Sequence, residues 1–319
     1  MKIDVYFPVI HGSHGEDGCL QGFLELTGIP YVGPNVLGAA LGMDKVAMKA
    51  VWKDAGLPVA PYLYFYSYEW EEKAHILMDQ IEKELSYPVI VKPANLGSSV
   101  GISIAKDRTA LQDALDFAAQ FTTRLLVEKV VPNLREFNCA VLGLPQSMEV
   151  SCCEDPIRGE AEFLDYGKKY GNGGKGTKGY SKNAPAKTAE ATSANGPSGG
   201  MSNLSRQVPA QISSELTAKI QELAKKSFVA LDGSGVARID FLYDDVAQEL
   251  YLNEINTIPG SLSFYLWDPA GKDFGQLMED LLQTAWVRQR QKEKLTFSYE
   301  GNILSGMAPA GAKGGGKIS

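Results

Sequence analysis

Two short segments in the second half of the chain set acids and an amide at strand spacing. In "ARIDF", Arg238 and Asp240 are two residues apart, and in "YLNEINTIPG", Glu254 and Asn256 are two apart. If each segment is a strand, each pair shares a face. If the two strands pair, Asp240, Glu254 and Asn256 converge on one spot. Two carboxylates and an amide oxygen form a hard, oxygen-only donor set suited to Mg²⁺, and Mg²⁺ held by few protein ligands usually holds phosphates as well. A solvated strand face also carries acids. That reading suffices for "RxD" alone; "NExN" placed opposite it favours the metal.

Two further segments fit a phosphate-bearing ligand. In "IVKPANLGSSVGISI", Lys92 ends an apolar run and a Gly-Ser loop follows. Such a lysine can lie along phosphates, and a loop between paired strands can drape N–H groups over phosphate oxygens. The pattern is not G-x-x-x-x-G-K-[ST] and no helix follows directly, which excludes a P-loop; a plain glycine-containing hairpin turn is the competing reading. In "RLLVEKVVPNLREF", Glu128 ends a second apolar run and Glu136 follows the "VV". Glu128 suits an adenine amino group and Glu136 suits ribose hydroxyls, whereas an ordinary strand end would leave both solvated.

Elements that could position these residues alternate along the chain, the mark of a mixed α/β architecture. "IDVYFPVI" reads as a strand. "DKVAMKAVWKDAG" reads as a helix closed by Gly56. "YPVIVKP" and "VGISIA" read as a hairpin-like pair. "DRTALQDALDFAAQF" has Asp107 as N-cap and Leu111, Ala114, Leu115 and Ala118 on one face. "SSELTAKIQELAKKSFVALDG" is an amphipathic helix with Gly233 as its stop. "GVARIDFLYD" and "ELYLNEIN" form the next strand pair, and "DFGQLMEDLLQTAWVRQRQKEK" is a closing helix. The stretch from about 167 to 200 and the tail from about 304 are rich in Gly, Lys, Ser and Ala, too poor in apolar residues to order themselves unaided; a flexible loop and a disordered tail are expected there.

At 319 residues, 44% hydrophobic and 22% charged, the chain suits a globular protein of about two domains. A net charge of −7 argues against a nucleic-acid or membrane-surface protein, and no apolar run approaches the ~20 residues of a membrane span. Cys19, Cys139, Cys152 and Cys153 lack zinc spacing, and Cys152 and Cys153 would point to opposite strand faces. They fit the reducing cytoplasm and no catalytic role.

Taken in order, "LGMDK", "VKPANLGSSVG", "VEKVVP…RE", a D-Y-x-K-K-Y segment, "GVARIDF" and "NEINTIPG" resemble the ATP-grasp superfamily and, within it, the D-alanine–D-alanine ligases. "HGSHGEDGCLQGFLELTGIPYVG" looks like that family's N-terminal-domain motif. The resemblance covers about residues 3–282. It implies ATP between two α+β lobes, with the lobes at 39–127 and 128–319 and residues 1–38 belonging to an N-terminal substrate-binding α/β domain. Lys45 and Lys92 match phosphate-contacting lysines, and Ser98 and Ser99 match a loop over the phosphates. Glu128, with the backbone at Lys129 and Val131, matches the adenine contacts, and Glu136 matches the ribose contact. Asp240, Glu254 and Asn256 match the ligands of Mg²⁺ (or Mn²⁺), two ions in all. Lys169 and Tyr170 match a mobile loop over the γ-phosphate. Arg238 and the Gly260 N–H match donors to the tetrahedral intermediate, and His11 matches a first-substrate contact. The implied reaction joins two D-alanines for peptidoglycan through an acyl phosphate, releasing ADP. The partners are then small molecules, with no nucleic acid or membrane; a homodimer is compatible with the resemblance.

Three departures shape the expectations. Ten residues precede His11, where a βαβ unit needs about 30, so the N-terminal domain is expected to be incomplete and the first-substrate site with it. After Gly260 the family places Ser-Leu for the second substrate's carboxylate; Tyr265 and Leu266 stand there, with Ser263 close enough to substitute. This leaves the acceptor open: D-alanine, D-serine, D-lactate or another. The loop after Tyr170 is longer than a compact lid, and its lysines suit either phosphates or a solvated linker. Another carboxylate–amine ligase and a nucleotide-binding fragment without turnover are the competing readings.

Overall fold

The computed structural model describes residues 2–97, 101–156 and 206–295; Ser98, Ser99, Lys169 and Tyr170, the loop at 167–200 and the tail from 304 lie outside them. Helices α1 (Cys19–Thr27), α2 (Val36–Met43) and α3 (Lys45–Asp54) come first. A smaller lobe follows, with β1 (Tyr62–Tyr66), α4 (Ser67–Glu84), β2 (Val89–Pro93), β3 (Ser103–Ala105), α5 (Arg108–Ala118) and β4 (Arg124–Lys129). The larger lobe holds β5 (Leu134–Leu144), β6 (Ser147–Pro156), β7 (Arg206–Gln207), α6 (Ser214–Ala230), β8 (Gly235–Asp244), β9 (Glu249–Asn256) and α7 (Phe274–Glu293). No helix among the described residues is long and apolar enough to cross a membrane.

The small lobe is a four-stranded antiparallel sheet in the order β1-β4-β2-β3. Val89, Val91, Leu125 and Val127 face α4 and α5, against Ile81, Leu111 and Leu115. The opposite face of the same strands carries Ile90, Lys92 and Glu128, because side chains alternate along a strand. The cap expected for α5 is present: Asp107 accepts from Ala110 N at 2.9 Å, and its buried residues are Leu111, Ala114, Leu115 and Ala118.

The large lobe is a five-stranded sheet in the order β7-β6-β5-β8-β9. One face packs Phe137, Cys139, Val141, Ile239 and Phe241 against Ile220, Ala224 and Phe228 of α6. The other face is divided. At one end Ala140, Leu142 and Val236 pack on Leu277 and Leu281 of α7; at the other end Glu136, Asn138, Arg238 and Asp240 line a cleft. Met48 and Trp52 of α3 join the α6-side core, so this helix packs on the large lobe although it precedes the small one in sequence.

Two local expectations change. "IDVYFPVI" forms a single parallel bridge, Tyr6 with Tyr31, not a strand, because strand structure needs a partner along its length and this segment meets one at a single residue. Helix α6 ends through Asp232, which takes the left-handed conformation at φ 51°. Gly233 serves close packing instead: a Cβ there would meet the Phe228 ring at 2.4 Å.

Candidate active site

A cleft of about 520 Å³ lies between the two sheets, within the usual size of small-molecule sites. Its lining gathers opposite charges. Lys92 from β2 and Lys45 from α3 line it together with Asp240, Glu254 and Asn256 from β8 and β9, and Lys45 Nζ lies 3.5 Å from Glu254. Lys129, Val131, Glu136, Arg238 and Tyr265 also line it.

The strand pairing expected for the acids is present. Asp240 pairs directly with Glu254, and Arg238 with Asn256. A β-bulge follows, and Phe241 pairs with Leu252. The bulge inserts Asn253, so Leu252 and Ile255 both remain in the core while Asn253, Glu254 and Asn256 reach the cleft. Re-aiming a side chain is a usual consequence of a bulge beside a site. Asn253 accepts from Lys92 Nζ at 3.2 Å, tying the large lobe to the small one.

Asp240 is gripped by Arg238, whose Nε and Nη2 donate to its two oxygens at 2.7 and 2.8 Å. Burial raises the Asp240 pKa, Arg238 opposes this, and the nearby charges of Glu254 and Glu154 raise it further. For Glu254, burial also acts upward, but Lys45, Lys92 and Arg238 overcome it and hold the carboxyl ionised. Crowded carboxylates with oxygen-only donors suit a divalent hard cation, which would relieve their repulsion. Asn256 Nδ2 donates to Asp240 at 3.1 Å; coordination through its oxygen requires the amide turned over.

Glu128 lines the cleft, and two lysines face its carboxylate. Sequence reasoning sets its carboxylate against an adenine amino group. Its side chain is 2% exposed and lies 2.6 Å from Lys49 Nζ and 2.5 Å from Lys92 Nζ. These are close ion pairs without the alignment of hydrogen bonds. Burial pushes the Glu128 pKa up, but the two ammonium charges prevail and bring it down to about 2. Lys129 N–H is also engaged, donating to Pro61 O at 2.9 Å. Lys49, absent from the sequence reading, is fully buried. Its signal was its place four residues after Lys45 on one helix, the spacing of one helical face.

Three expected substrate residues do not line this cleft. His11 is half exposed and faces Glu16 at 3.6 Å. Ser263 is fully buried and Leu266 packs in the α7-side core. The cause is the turn after β9: Ser261, Leu262 and Ser263 all have φ near +52°, which costs roughly 1–2 kcal/mol per residue and turns Ser263 inward while Leu262, Leu266 and Trp267 anchor the segment. Gly260, exposed at the head of this turn, is not among the lining residues either. Tyr265 does reach the cleft. Its hydroxyl donates to Glu154 at 3.0 Å, and Arg206 stacks on its ring at 4.5 Å. Burial and the Glu154 charge push the Tyr265 pKa up to about 12. Glu154 and Arg206 had no sequence signal, since only the fold brings β6 and β7 to Tyr265.

Comparison with known proteins agrees with this geometry. The family described as D-ala D-ala ligase C-terminus matches residues 51–195 and 199–283, and D-ala D-ala ligase N-terminus matches residues 1–34. A D-alanine–D-alanine ligase of Prochlorococcus marinus is 42% identical over 290 residues, 89% of this chain and 74% of that protein. One from Acetivibrio thermocellus is 41% identical, over 92% of this chain and 70% of its own length. Among solved structures, the D-alanine–D-alanine ligase of Coxiella burnetii superposes with a TM-score of 0.71 at 27% identity, over 92% of this chain and 71% of that one. The VanG D-Ala:D-Ser ligase of Enterococcus faecalis gives 0.71 at 30% identity, over 89% and 74%. The fold is therefore the ATP-grasp fold of these ligases, and the chain belongs to the D-alanine–D-alanine ligase family.

Proposed function

We propose that this chain is an ATP-dependent ligase that joins two molecules of D-alanine for peptidoglycan precursors, working in the cytoplasm with Mg²⁺ or Mn²⁺. The observation that supports it best is the cleft that gathers the Lys45 and Lys92 ammonium groups with the Asp240–Glu254–Asn256 oxygens. Lys45 and Lys92 place positive charge against the phosphates of ATP. Asp240, Glu254 and Asn256 would hold the metal, which when bound neutralises charge on the phosphoryl oxygens. Glu136 and Val131 lie where the nucleoside would rest, and Ser98, Ser99, Lys169 and Tyr170 keep the phosphate-loop roles implied by the family likeness.

In this reading the first D-alanine carboxylate attacks the γ-phosphate, giving an acyl phosphate and ADP. The amine of the second D-alanine attacks the acyl carbon, and phosphate leaves. Two of the five N–H donors of Arg238 go to Asp240, which fixes the guanidinium plane in the cleft wall. From there Arg238 stabilises the oxyanion that forms at the acyl carbon, with electrostatic preorganisation as the source of the rate; the Gly260 N–H keeps only the donor role implied by the family likeness, since Gly260 does not line the cleft. The expected result is ADP release that needs both Mg²⁺ and D-alanine. ATP binding without ADP release on addition of any D-amino acid would reject the proposal.

A second reading keeps the chemistry and changes the acceptor. Tyr265, Glu154 and Arg206 form a polar wall, and a D-serine ligase is among the structural neighbours. An acceptor screen at fixed ATP separates the two; strict preference for D-alanine in both positions excludes D-serine.

A further inference from the structure

The buried lysine of α3 has no place in the steps above. Lys49 is fully buried and does not line the cleft, whereas Lys45, one helical turn earlier, does. Its ammonium meets one oxygen of Glu128 at 2.6 Å, and the other oxygen of Glu128 meets Lys92 at 2.5 Å. Ile90 and Lys92 of β2 face the same side as Glu128 of β4, with Ile90 directly opposite Glu128, so the contact to Lys92 is a diagonal cross-strand pair. The cluster also spans the lobes, since Met48 and Trp52 root α3 in the large-lobe core while Glu128 and Lys92 belong to the small sheet.

Charge decides what this arrangement does. A buried Glu128–Lys92 pair alone would be neutral, and Lys92 would have its charge cancelled at close range. Adding Lys49 gives three groups with a net charge of +1, and only Lys92 and Glu128 of the three face the cleft. Lys92 has three donors; one faces Glu128 and one goes to Asn253. The third is left for an anion; Glu254 and Glu136 also act on Lys92, so Lys49 lessens the negative charge around it and does not by itself cancel it.

We propose that Lys49 is a positioning residue for phosphate binding: by occupying one oxygen of Glu128 it keeps the positive charge of Lys92 available to the phosphates of the nucleotide. The inference rests on the nucleotide-site reading above. Lys49 touches no substrate and acts through Glu128.

The test compares ATP with adenosine, which has the base and sugar but no phosphates, by titration calorimetry on the full chain. Lys49→Met keeps the unbranched side chain to within one atom of its length and removes its charge. The expected result is ATP binding weakened at least tenfold, with adenosine binding changed less than twofold. Lys49→Met/Glu128→Gln should recover part of the loss, because Lys92 then has no carboxylate beside it. Equal weakening of ATP and adenosine, unchanged ATP affinity, or no recovery in the double variant overturns the proposal. If Lys49→Met shows no cooperative melting, Lys49→Gln is measured with the same ATP-to-adenosine criterion. Wild-type chain that binds no ATP removes the nucleotide-site reading itself, whereas wild-type binding with no selective loss in either Lys49 variant removes only the role of Lys49.

Discussion

Glu128→Gln removes the anion at the centre of the inter-lobe charge cluster and keeps its shape. Two ammonium groups would then be buried without a counter-charge, their side chains 1% and 8% exposed. Two routes give the size of the effect. Deleting one partner of a buried ion pair costs about 3–5 kcal/mol. Independently, the Glu128 pKa falls from 4.5 to about 2, which at about 1.4 kcal/mol per pH unit corresponds to about 3 kcal/mol. The routes agree, and the melting temperature at pH 7 should fall by on the order of 5–10 °C. The pH dependence carries a sign. A carboxyl with a depressed folded-state pKa stabilises fully above its unfolded value near 4.5, and the contribution is lost as pH falls through about 2. Urea unfolding of both proteins across pH 7 to 3 should therefore show a constant gap above about pH 5 that narrows below 4.5. A variant within 1 kcal/mol of wild type at pH 7 (roughly the worth of one exposed ion pair), or a gap that does not narrow in acid, would refute the network as described.

Asp240→Asn should abolish the rise in melting temperature that saturating Mg²⁺ gives wild type, which reflects a stabilisation of about 2.7 kcal/mol at a hundred times Kd; an equal Mg²⁺ shift in both proteins places the metal elsewhere. Ser263→Ala should leave stability unchanged or raise it by about 1 kcal/mol, since its buried hydroxyl has no hydrogen-bond partner; a tenfold rise in acceptor KM would restore Ser263 to the substrate site. Gly233→Ala should lower stability by about 1–3 kcal/mol by thermal melting, because the new methyl meets the Phe228 ring; an unchanged Tm would show that the ring moves freely.

Periodic patterns transferred well from sequence to structure. The α5 face and its Asp107 cap appear as spaced, and so does the cross-strand meeting of Asp240 with Glu254. These depend on local geometry, period 3.6 or period 2, which neighbouring residues determine among themselves. Glu128 was legible as a site residue but its ion-pair partners were not, because they are 79 positions before it, at Lys49, and 36 before it, at Lys92. Ser263 sits in the core and not in the cleft because three consecutive left-handed residues reverse the direction that proximity in sequence suggests. Asn253 was hidden by a bulge, which breaks strand parity at one residue.

The amino-acid sequence by itself determined the donor types and their order along the chain: lysines ahead of carboxylates, oxygen ligands two apart, and ordered motifs that mark the family. Charge and hard-donor chemistry reside in residue identity, so they survive without coordinates. Tertiary structure alone decided which of those groups face the cleft and which face each other. It set Lys49 and Lys92 on opposite oxygens of Glu128, brought Glu154 and Arg206 to Tyr265, and turned Ser263 into the core. The reason is that burial and long-range pairing fix the local field around an ionisable group, and the contacts that do so join segments distant in sequence.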